Sequence, residues 1–199
     1  MASVIHTLLF DLGGVLVDWD GTRPLVEGSN HTLTVEQARR FWLESPSVRA
    51  FETGRITAER FAEGAVGELG LPMEPEQFLR AFASWDKGPM PGAISLLKTL
   101  RRKYTLACLS NNNVIHWNRP RLRKLLAFFQ YCFVSFKTGV LKPDHDAFQY
   151  ALDRMAISPG TIIFFDDNPE CIESARQMGF RAIEVKGVED VKKALRGLG

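Results

Sequence analysis

The chain has 199 residues, which suffices for one globular domain or for one domain that carries a sizeable insertion. Hydrophobic residues make up 45% of it and charged residues 24%, a balance that excludes a disordered or fibrous protein. The formal net charge of +2 is too small to indicate a nucleic-acid or membrane partner.

Short apolar segments alternate with amphipathic helical patterns along most of the chain. Segments rich in β-branched and aromatic residues predict strands at 6–10, 105–109, 131–135, 161–165 and 182–185. The 3.6-residue patterns predict helices at 93–103, 144–155, 169–178 and 189–195, the third of them capped by Asn168 and ended by Gly179. Near-continuous apolar strands that alternate with helices predict an α/β fold around a parallel sheet.

The stretch from about Trp19 to Gly88 breaks this alternation, because it shows helical patterns at 35–44, 58–69 and 75–85 and no convincing strand. It follows the first strand, at the sheet edge where ligands bind in open α/β folds. We therefore predict a catalytic core over 1–18 and 89–199 and a helical cap over 19–88, with hinges near 18–21 and 87–92. Within the cap, residues 51–55 look like a charged turn that could face the substrate, and Trp42 and Trp85 look like core residues.

The predicted strands end in polar residues that suit phosphoryl transfer to a carboxylate. Asp11 follows the first strand and precedes Gly13–Gly14, a turn that lets the backbone approach a ligand, so Asp11 is the candidate nucleophile. Ser110 and Asn111 end the second strand with a hydroxyl and backbone amides that suit phosphate oxygens. Lys142 is predicted to begin a helix, where its charge and the helix N-terminus would both stabilise an anion.

The fourth predicted strand ends in two adjacent carboxylates, Asp166 and Asp167. Such a pair repels itself unless a proton or a cation neutralises it. Mg²⁺ is the simplest neutraliser, because hard divalent cations prefer oxygen ligands. An N-cap and its neighbour would explain the pair alone, but together with Asp11 and Lys142 it predicts a magnesium site.

The order Asp11, Ser110, Lys142 and Asp166–Asp167 resembles the four motifs of the haloacid dehalogenase (HAD)-like hydrolase superfamily. The resemblance spans nearly the whole chain and implies a Rossmann-like parallel sheet with an inserted all-α cap domain. It also implies that Asp11 forms an aspartyl-phosphate, that Ser110 and the Asn111 backbone hold the phosphate, and that Lys142 stabilises its charge.

The resemblance further implies a bound Mg²⁺ and a set of ligands for it: Asp11, the Gly13 carbonyl, Asp167 and, either directly or by supporting a ligand, Asp166. Gly13 stands where the family's phosphatases usually carry a second aspartate, the general acid and base. General acid–base catalysis typically contributes a factor of about 10²–10⁴ in rate, so the lack of this aspartate should slow the reaction. Asp18 and Asp20 at the first hinge are alternative proton donors, although capping of the hinge explains them as well.

With glycine at this position, the sequence resembles a subgroup of these hydrolases that includes bacterial α-glucose-1-phosphate phosphatase. That subgroup has a Ser-Asn-x-Asn-x-x-His second motif, which Ser110, Asn111, Asn113 and His116 reproduce. His116 is therefore a candidate phosphate-binding residue, although a cap or surface role explains a loop histidine as well. The resemblance implies a sugar phosphate or a similar small phosphoester, since a hemiacetal oxygen leaves more readily than an ordinary alkoxide.

We predict a Mg²⁺-dependent phosphohydrolase that acts on a small phosphorylated molecule, with no nucleic-acid or membrane partner, as a monomer or homodimer. Two alternatives stay open at this point. Gly13 supports a catalytically weak phosphate-ligand-binding or regulatory HAD-like protein. A 2-haloacid dehalogenase also lacks the second aspartate, but the Asp166–Asp167 pair argues against it, because an anionic carboxylate substrate gains nothing from an unneutralised diacid.

Two further patterns concern partners and location. The basic cluster at 119–124 has leucines at helical spacing, which predicts a solvated helix face rather than a nucleic-acid site. The three cysteines form no CxxC pair and suit a reducing compartment, and the first apolar stretch, Val4–Phe10, lacks a basic n-region. We therefore expect a cytoplasmic protein.

Overall fold

A computed structural model describes residues 4–197, which contain seven strands and twelve α-helices. The strands are β1 (Thr7–Phe10), β2 (Val17–Trp19), β3 (Asp86–Pro89), β4 (Thr105–Ser110), β5 (Tyr131–Val134), β6 (Ile162–Asp166) and β7 (Arg181–Glu184). The helices are α1 (Thr22–Gly28), α2 (Val35–Glu44), α3 (Pro46–Glu52), α4 (Ala58–Leu69), α5 (Pro75–Ala83), α6 (Ala93–Leu100), α7 (Val114–Trp117), α8 (Pro120–Leu126), α9 (Ser135–Thr138), α10 (His145–Met155), α11 (Pro169–Gln177) and α12 (Gly187–Arg196).

Five strands form one parallel sheet in the order β5-β4-β1-β6-β7. The last residue of β1, Phe10, pairs with Cys108 on one side and with Phe165 on the other, so the carboxyl ends of these three central strands meet at one edge. Each strand predicted from the apolar runs is present, with ends shifted by a residue. The predicted α/β class with a parallel sheet is confirmed.

Both faces of the sheet are covered, which explains why its strands read as continuous apolar runs. Leu8 and Phe10 of β1 pack into one core cluster with residues of α6, α8 and α12. Leu9, which points to the opposite face, packs into a second cluster with residues of α10 and α11. The sheet is therefore a rigid central layer that fixes the residues at its carboxyl edge.

The helices α1–α5 have an apolar cluster of their own, built largely from aromatic side chains such as Phe61, Phe78 and Phe82. The helices predicted at 35–44 and 58–69 have the expected bounds, whereas the third ends at Ala83 rather than at 85. The short helices α1 and α3 were not predicted. The basic cluster lies on α8, where Leu122 and Leu125 are buried, as its leucine spacing predicts.

The expectation that the stretch from Trp19 to Gly88 contains no strand is wrong at its ends. The segment Asp86–Pro89 forms β3, which pairs antiparallel with β2 at the point where the chain enters and leaves α1–α5. Its sequence, Asp-Lys-Gly-Pro, contains no β-branched or aromatic residue, so pairing with β2 rather than local propensity makes it a strand.

Among the described residues, no helix is long and apolar enough to cross a bilayer.

Candidate active site

The carboxyl edge of the sheet brings the predicted site residues together. Asp11 directly follows β1, and its amide donates to the Phe165 carbonyl of β6 at 2.8 Å. Ser110 ends β4 and Asp166 ends β6, on either side of it. Lys142, from the loop before α10, donates from its Nζ to Asp11 Oδ1 at 2.7 Å and to Asp166 Oδ2 at 2.5 Å. One buried ammonium group therefore bridges two of the carboxylates.

Lys142 does not begin a helix, contrary to expectation. The helix α10 begins at His145, because Pro143 disfavours a helical conformation for the residue before it. The Lys142 backbone is held instead by Asn111, whose side-chain Nδ2 donates to the Lys142 carbonyl and whose Oδ1 accepts from the Lys142 amide, both at 2.8 Å. The Asn111 side chain thus positions the lysine and leaves the Asn111 backbone amide for a ligand.

Burial and mutual repulsion shape the charges of the site. Burial raises the pKa of Asp11 to about 7, and the negative charges of Asp166 and Asp167 add to the rise while Lys142 opposes it. Burial and the charge of Asp166 likewise raise the pKa of Asp167 to about 6. Burial alone would lower the pKa of Lys142, but Asp11 and Asp166 outweigh it and raise this pKa. A single ammonium group therefore does not neutralise three carboxylates.

The three carboxylates form a cluster suited to a metal ion. Asp11, Asp166 and Asp167 each offer an oxygen within 4.8 Å of the others. Asp166 uses one oxygen for Lys142 and the other for the Asn168 amide at 2.9 Å, whereas Asp167 makes no side-chain hydrogen bond to another described residue. A donor set made only of carboxylate oxygens fits a hard cation such as Mg²⁺, and Asp167 has the freer oxygens to bind it.

Gly14 is required for the close approach of Asp167. Its φ of +69° lies in the left-handed region, and a Cβ on it would stand 2.1 Å from Asp167 Oδ2. We expect Gly14→Ala to displace this carboxylate and weaken Mg²⁺ binding by about 10–100-fold, as loss of support around a metal ligand typically does. Isothermal titration calorimetry with MgCl₂ measures the change.

The matched control for this prediction is Gly139→Ala. Gly139 also has a positive φ, +77°, but nothing lies within 4 Å of its added Cβ, so it reports the backbone strain alone. Equal Mg²⁺ affinity in the two alanine variants would show that Gly14 has no special role at the metal site.

His116 lies beside the site but its ring is already engaged. Its Nδ1 is 3.3 Å from Asn113 Nδ2, and its Nε2 is 2.8 Å from the Phe82 carbonyl of α5. Burial lowers the pKa of His116, which favours the neutral ring. Asn113 caps α7 through its Oδ1, which accepts from the amides of Ile115 and His116 at 3.1 Å. These contacts tie the loop after β4 to α5, and phosphate binding by His116 stays a prediction.

A cavity of about 390 Å³ lies above the strand ends. Every predicted site residue lines it. It is also lined by groups that the sequence did not assign to the site: Trp19, Arg39, Trp42, Leu43, Phe82 and Asp86. Glu52, from the segment 51–55 that could face the substrate, lines it as well. Trp42, expected to be a core residue, packs on Phe82 and also faces this cavity. Periodicity placed Arg39, Trp42, Leu43 and Phe82 on predicted helices but carried no signal for which helix face meets the site. Trp19 and Asp86 lie on β2 and β3, outside the predicted helices.

Comparison with known proteins adds independent findings. The sequence model of the haloacid dehalogenase-like hydrolase family matches residues 5–179. A phosphatase of Mycobacterium tuberculosis is 28% identical over 186 residues, which cover 89% of this chain and 86% of that protein. The D-ribitol-5-phosphate phosphatase of Bacteroides thetaiotaomicron is 22% identical over 200 residues, covering 96% of this chain and 97% of that protein. The crystal structure of a HAD-family enzyme of the same organism, in complex with magnesium and inorganic phosphate, superposes with a TM-score of 0.77 at 28% identity, covering 96% of this chain and 100% of that one.

Proposed function

The chain belongs to the haloacid dehalogenase-like hydrolase family, and we propose that it is a Mg²⁺-dependent phosphohydrolase that works through an aspartyl-phosphate on Asp11. The observation that carries the proposal is the position of Asp11. Its carboxylate accepts from the Lys142 ammonium and has an oxygen within 4.8 Å of Asp166 and Asp167, at the sheet edge that opens into the cavity. Named phosphatases among the relatives and the magnesium–phosphate complex of a similar enzyme support it.

The first half of the reaction transfers the phosphoryl group to the protein. Asp11 Oδ2, which accepts no hydrogen bond from the described residues, attacks phosphorus while the bond to the leaving oxygen breaks. The Lys142 ammonium stabilises the charge that spreads over the phosphoryl oxygens. The Ser110 hydroxyl and the Asn111 amide hold the remaining oxygens.

In the second half, water attacks phosphorus, the bond to Asp11 breaks, and inorganic phosphate leaves. We propose that Asp11, the Gly13 carbonyl and Asp167 hold Mg²⁺, while Asp166, which is bonded to Lys142 and the Asn168 amide, keeps the lysine in place. When bound, the ion neutralises the carboxylates and the incoming phosphate.

The proposed substrate is a small phosphoester such as a sugar phosphate. The cavity of about 390 Å³ falls in the lower part of the usual range for small-molecule sites. Indole rings of Trp19 and Trp42 and the Arg39 side chain line it beyond the catalytic groups, which suits a polar carbon chain. We propose that α1–α5 act as a cap, residues 19–88, that excludes bulk water and selects the leaving group.

The alternatives have weaker support. For a 2-haloacid dehalogenase, the cluster of Asp11, Asp166 and Asp167 would stay unneutralised while an anionic substrate binds. Against a protein that only binds phosphate ligands, no described residue donates a hydrogen bond to Asp11 Oδ2, which leaves this oxygen open to attack a phosphorus atom. The dehalogenase alternative also leaves the metal-ligand geometry without a use.

Trapping the phosphorylated protein tests the proposed function. Acid quenching during turnover of p-nitrophenyl phosphate, followed by peptide mass spectrometry, should detect phosphate on Asp11. The adduct should be released by hydroxylamine, as an acyl phosphate is. Turnover without any phosphorylated peptide would favour direct attack by water and contradict the proposal.

A further inference from the structure

Gly13 leaves the strand end without the carboxyl group that would protonate a leaving alkoxide. We propose that Glu52, at the end of α3, supplies this proton from the wall of the cavity. The inference rests on the proposed phosphohydrolase function and names a further catalytic residue for it. Its basis is the placement of Glu52, the contacts that hold α3 there, and the engagement of the acids of the cavity wall that lie outside the cluster of Asp11, Asp166 and Asp167.

Glu52 lies in the cavity that holds the reacting groups. Its partly buried side chain lines the same cavity as Asp11, Gly13 and Lys142. No described residue donates a hydrogen bond to its carboxylate or pairs with it, so the group is free to meet a ligand. An unpaired, partly desolvated carboxylate is costly to keep in a fold, which makes a bound partner the natural explanation.

Two contacts hold α3 over the loop that carries Lys142. Arg49 of α3 forms an ion pair with Asp144, two residues after Lys142 in the chain. The turn after α3 packs so closely on α9 that a Cβ on Gly54 would stand 2.5 Å from the Phe136 carbonyl oxygen. The ion pair before Glu52 in the chain and the close contact after it therefore fix the position of Glu52 relative to Lys142.

The acidic and imidazole side chains of the cavity wall outside the cluster of Asp11, Asp166 and Asp167 are engaged or turned away from the cavity. Asp20 accepts from the amides of Thr22 and Arg23 and from the Arg23 side chain, and these bonds lower its pKa. Asp86 accepts from the Gly88 amide at 2.6 Å. His116 has both ring nitrogens in contact with protein groups. Asp18, the other donor considered at the hinge, is exposed and does not line the cavity.

The proton balance of the reaction fits one carboxyl group. In the first half, the Glu52 carboxylic acid gives its proton to the leaving oxygen as the phosphorus–oxygen bond breaks, and an alcohol departs. In the second half, the Glu52 carboxylate takes a proton from the attacking water, which restores the acid. Burial raises the pKa of Glu52 to about 7, so both protonation states are populated near neutral pH.

The test compares two substrates of the Glu52→Gln variant that differ in their leaving groups. The p-nitrophenolate ion departs without protonation, whereas the oxygen of a sugar must be protonated as it departs. With the sugar phosphate that the unsubstituted chain hydrolyses fastest, kcat/KM should fall by about 10²–10⁴. With p-nitrophenyl phosphate it should stay within about threefold. The ratio kcat/KM is used because it reports the steps up to departure of the leaving group, before water attacks.

Two control variants sharpen the comparison. Glu63→Gln changes an exposed glutamate that pairs with Arg60 on α4, outside the cavity, and should leave both rates unchanged. Gly13→Asp places a carboxyl group at the strand end, where a Cβ meets nothing closer than 3.9 Å. Added to Glu52→Gln, it should restore sugar-phosphate hydrolysis at least about tenfold, whereas Gly13→Asn should not.

The outcomes separate this inference from the proposed function. An equal loss with both substrates would mean that Glu52 serves binding or folding, and no loss with the sugar phosphate would mean that it donates no proton. Either result overturns the role of Glu52 while phosphatase activity of the unsubstituted chain stands. If Glu52→Gln does not fold, the same comparison with Glu52→Asp, which keeps the acid but shortens its reach, decides between the two results.

Discussion

The Asp11→Asn variant should release phosphate at least about 10⁴ times more slowly than the unsubstituted chain with every substrate, because removal of a covalent nucleophile removes the reaction path. The amide is nearly isosteric with the carboxylate and cannot form the aspartyl-phosphate. Steady-state phosphate release, measured with p-nitrophenyl phosphate and a sugar phosphate, gives the ratio. The loss should not depend on the leaving group, unlike the loss in Glu52→Gln.

In the absence of Mg²⁺, the Asp11→Asn variant should be at least as stable as the unsubstituted chain. The pKa of Asp11 is raised from 3.8 to about 7 in the folded protein, so its ionised form costs stability at all pH values above its unfolded pKa. Asparagine removes this cost, and Lys142 keeps Asp166 as a partner. At pH 8 in EDTA, the melting temperature should equal or exceed that of the unsubstituted chain.

A matched control for Asp11→Asn is Asp153→Asn, an exposed position on α10 whose carboxylate accepts a hydrogen bond from Gln149. It should leave both activity and stability unchanged. Undiminished turnover in a folded Asp11→Asn protein would remove the proposed mechanism. A large drop in its melting temperature would instead show that Asp11 is needed for folding.

The Lys142→Met variant should lose both activity and stability. Methionine keeps much of the side-chain volume but leaves Asp11 and Asp166 buried without their shared cation. Breaking a buried ion pair by removing one partner typically destabilises a protein by about 3–5 kcal/mol. Phosphate release should fall at least about 10³-fold, since the charge of the transferring group loses a fixed donor. Urea denaturation in EDTA measures the stability change.

The pH dependence of the stability that Lys142 contributes follows from the direction of its pKa shift. The pKa of Lys142 is raised above the ordinary 10.5, so its stabilisation is fully present below that pH and is lost only as pH rises through the higher folded value. Removal of Lys142 also takes away the charge that lowers the pKa of Asp11, so this pKa should rise above about 7 in the variant. The deficit of Lys142→Met should therefore grow from pH 7 to pH 9, as the buried carboxylate of the variant is forced to ionise. Lys98→Met on the exposed side of α6 is the control. Equal urea midpoints for the two methionine variants would contradict the role of Lys142.

The sheet and the residues at its edge were predictable because each has a local signal. Buried parallel strands are short apolar runs, and Asp11, Ser110 and Asp166 stand where such runs end. The carboxyl ends of parallel strands meet at one edge of the sheet, so the predicted strands also predicted that the candidate groups lie close together. The helices of the insertion were predictable from their periodicity for the same reason.

Other features depend on contacts between distant segments. The strand β3 exists because β2 lies beside it, and Lys142 is positioned by the Asn111 amide across 31 residues of chain. Glu52 sits in a segment that looks like a charged turn able to face the substrate, and its place in the cavity depends on the contacts of α3 with Asp144 and with α9. No periodic pattern encodes such orientations, so these groups could not be assigned from the sequence.

The most direct test of the central claim is phosphate release from a panel of phosphoesters, measured with Mg²⁺ and with EDTA. The panel should span p-nitrophenyl phosphate, sugar 1-phosphates, sugar 6-phosphates and nucleotides. We predict turnover that requires Mg²⁺ and favours small sugar phosphates over nucleotides. Hydrolysis that persists in EDTA, or thermal stabilisation by Mg²⁺ and phosphate without hydrolysis of any member, would contradict a magnesium-dependent phosphohydrolase.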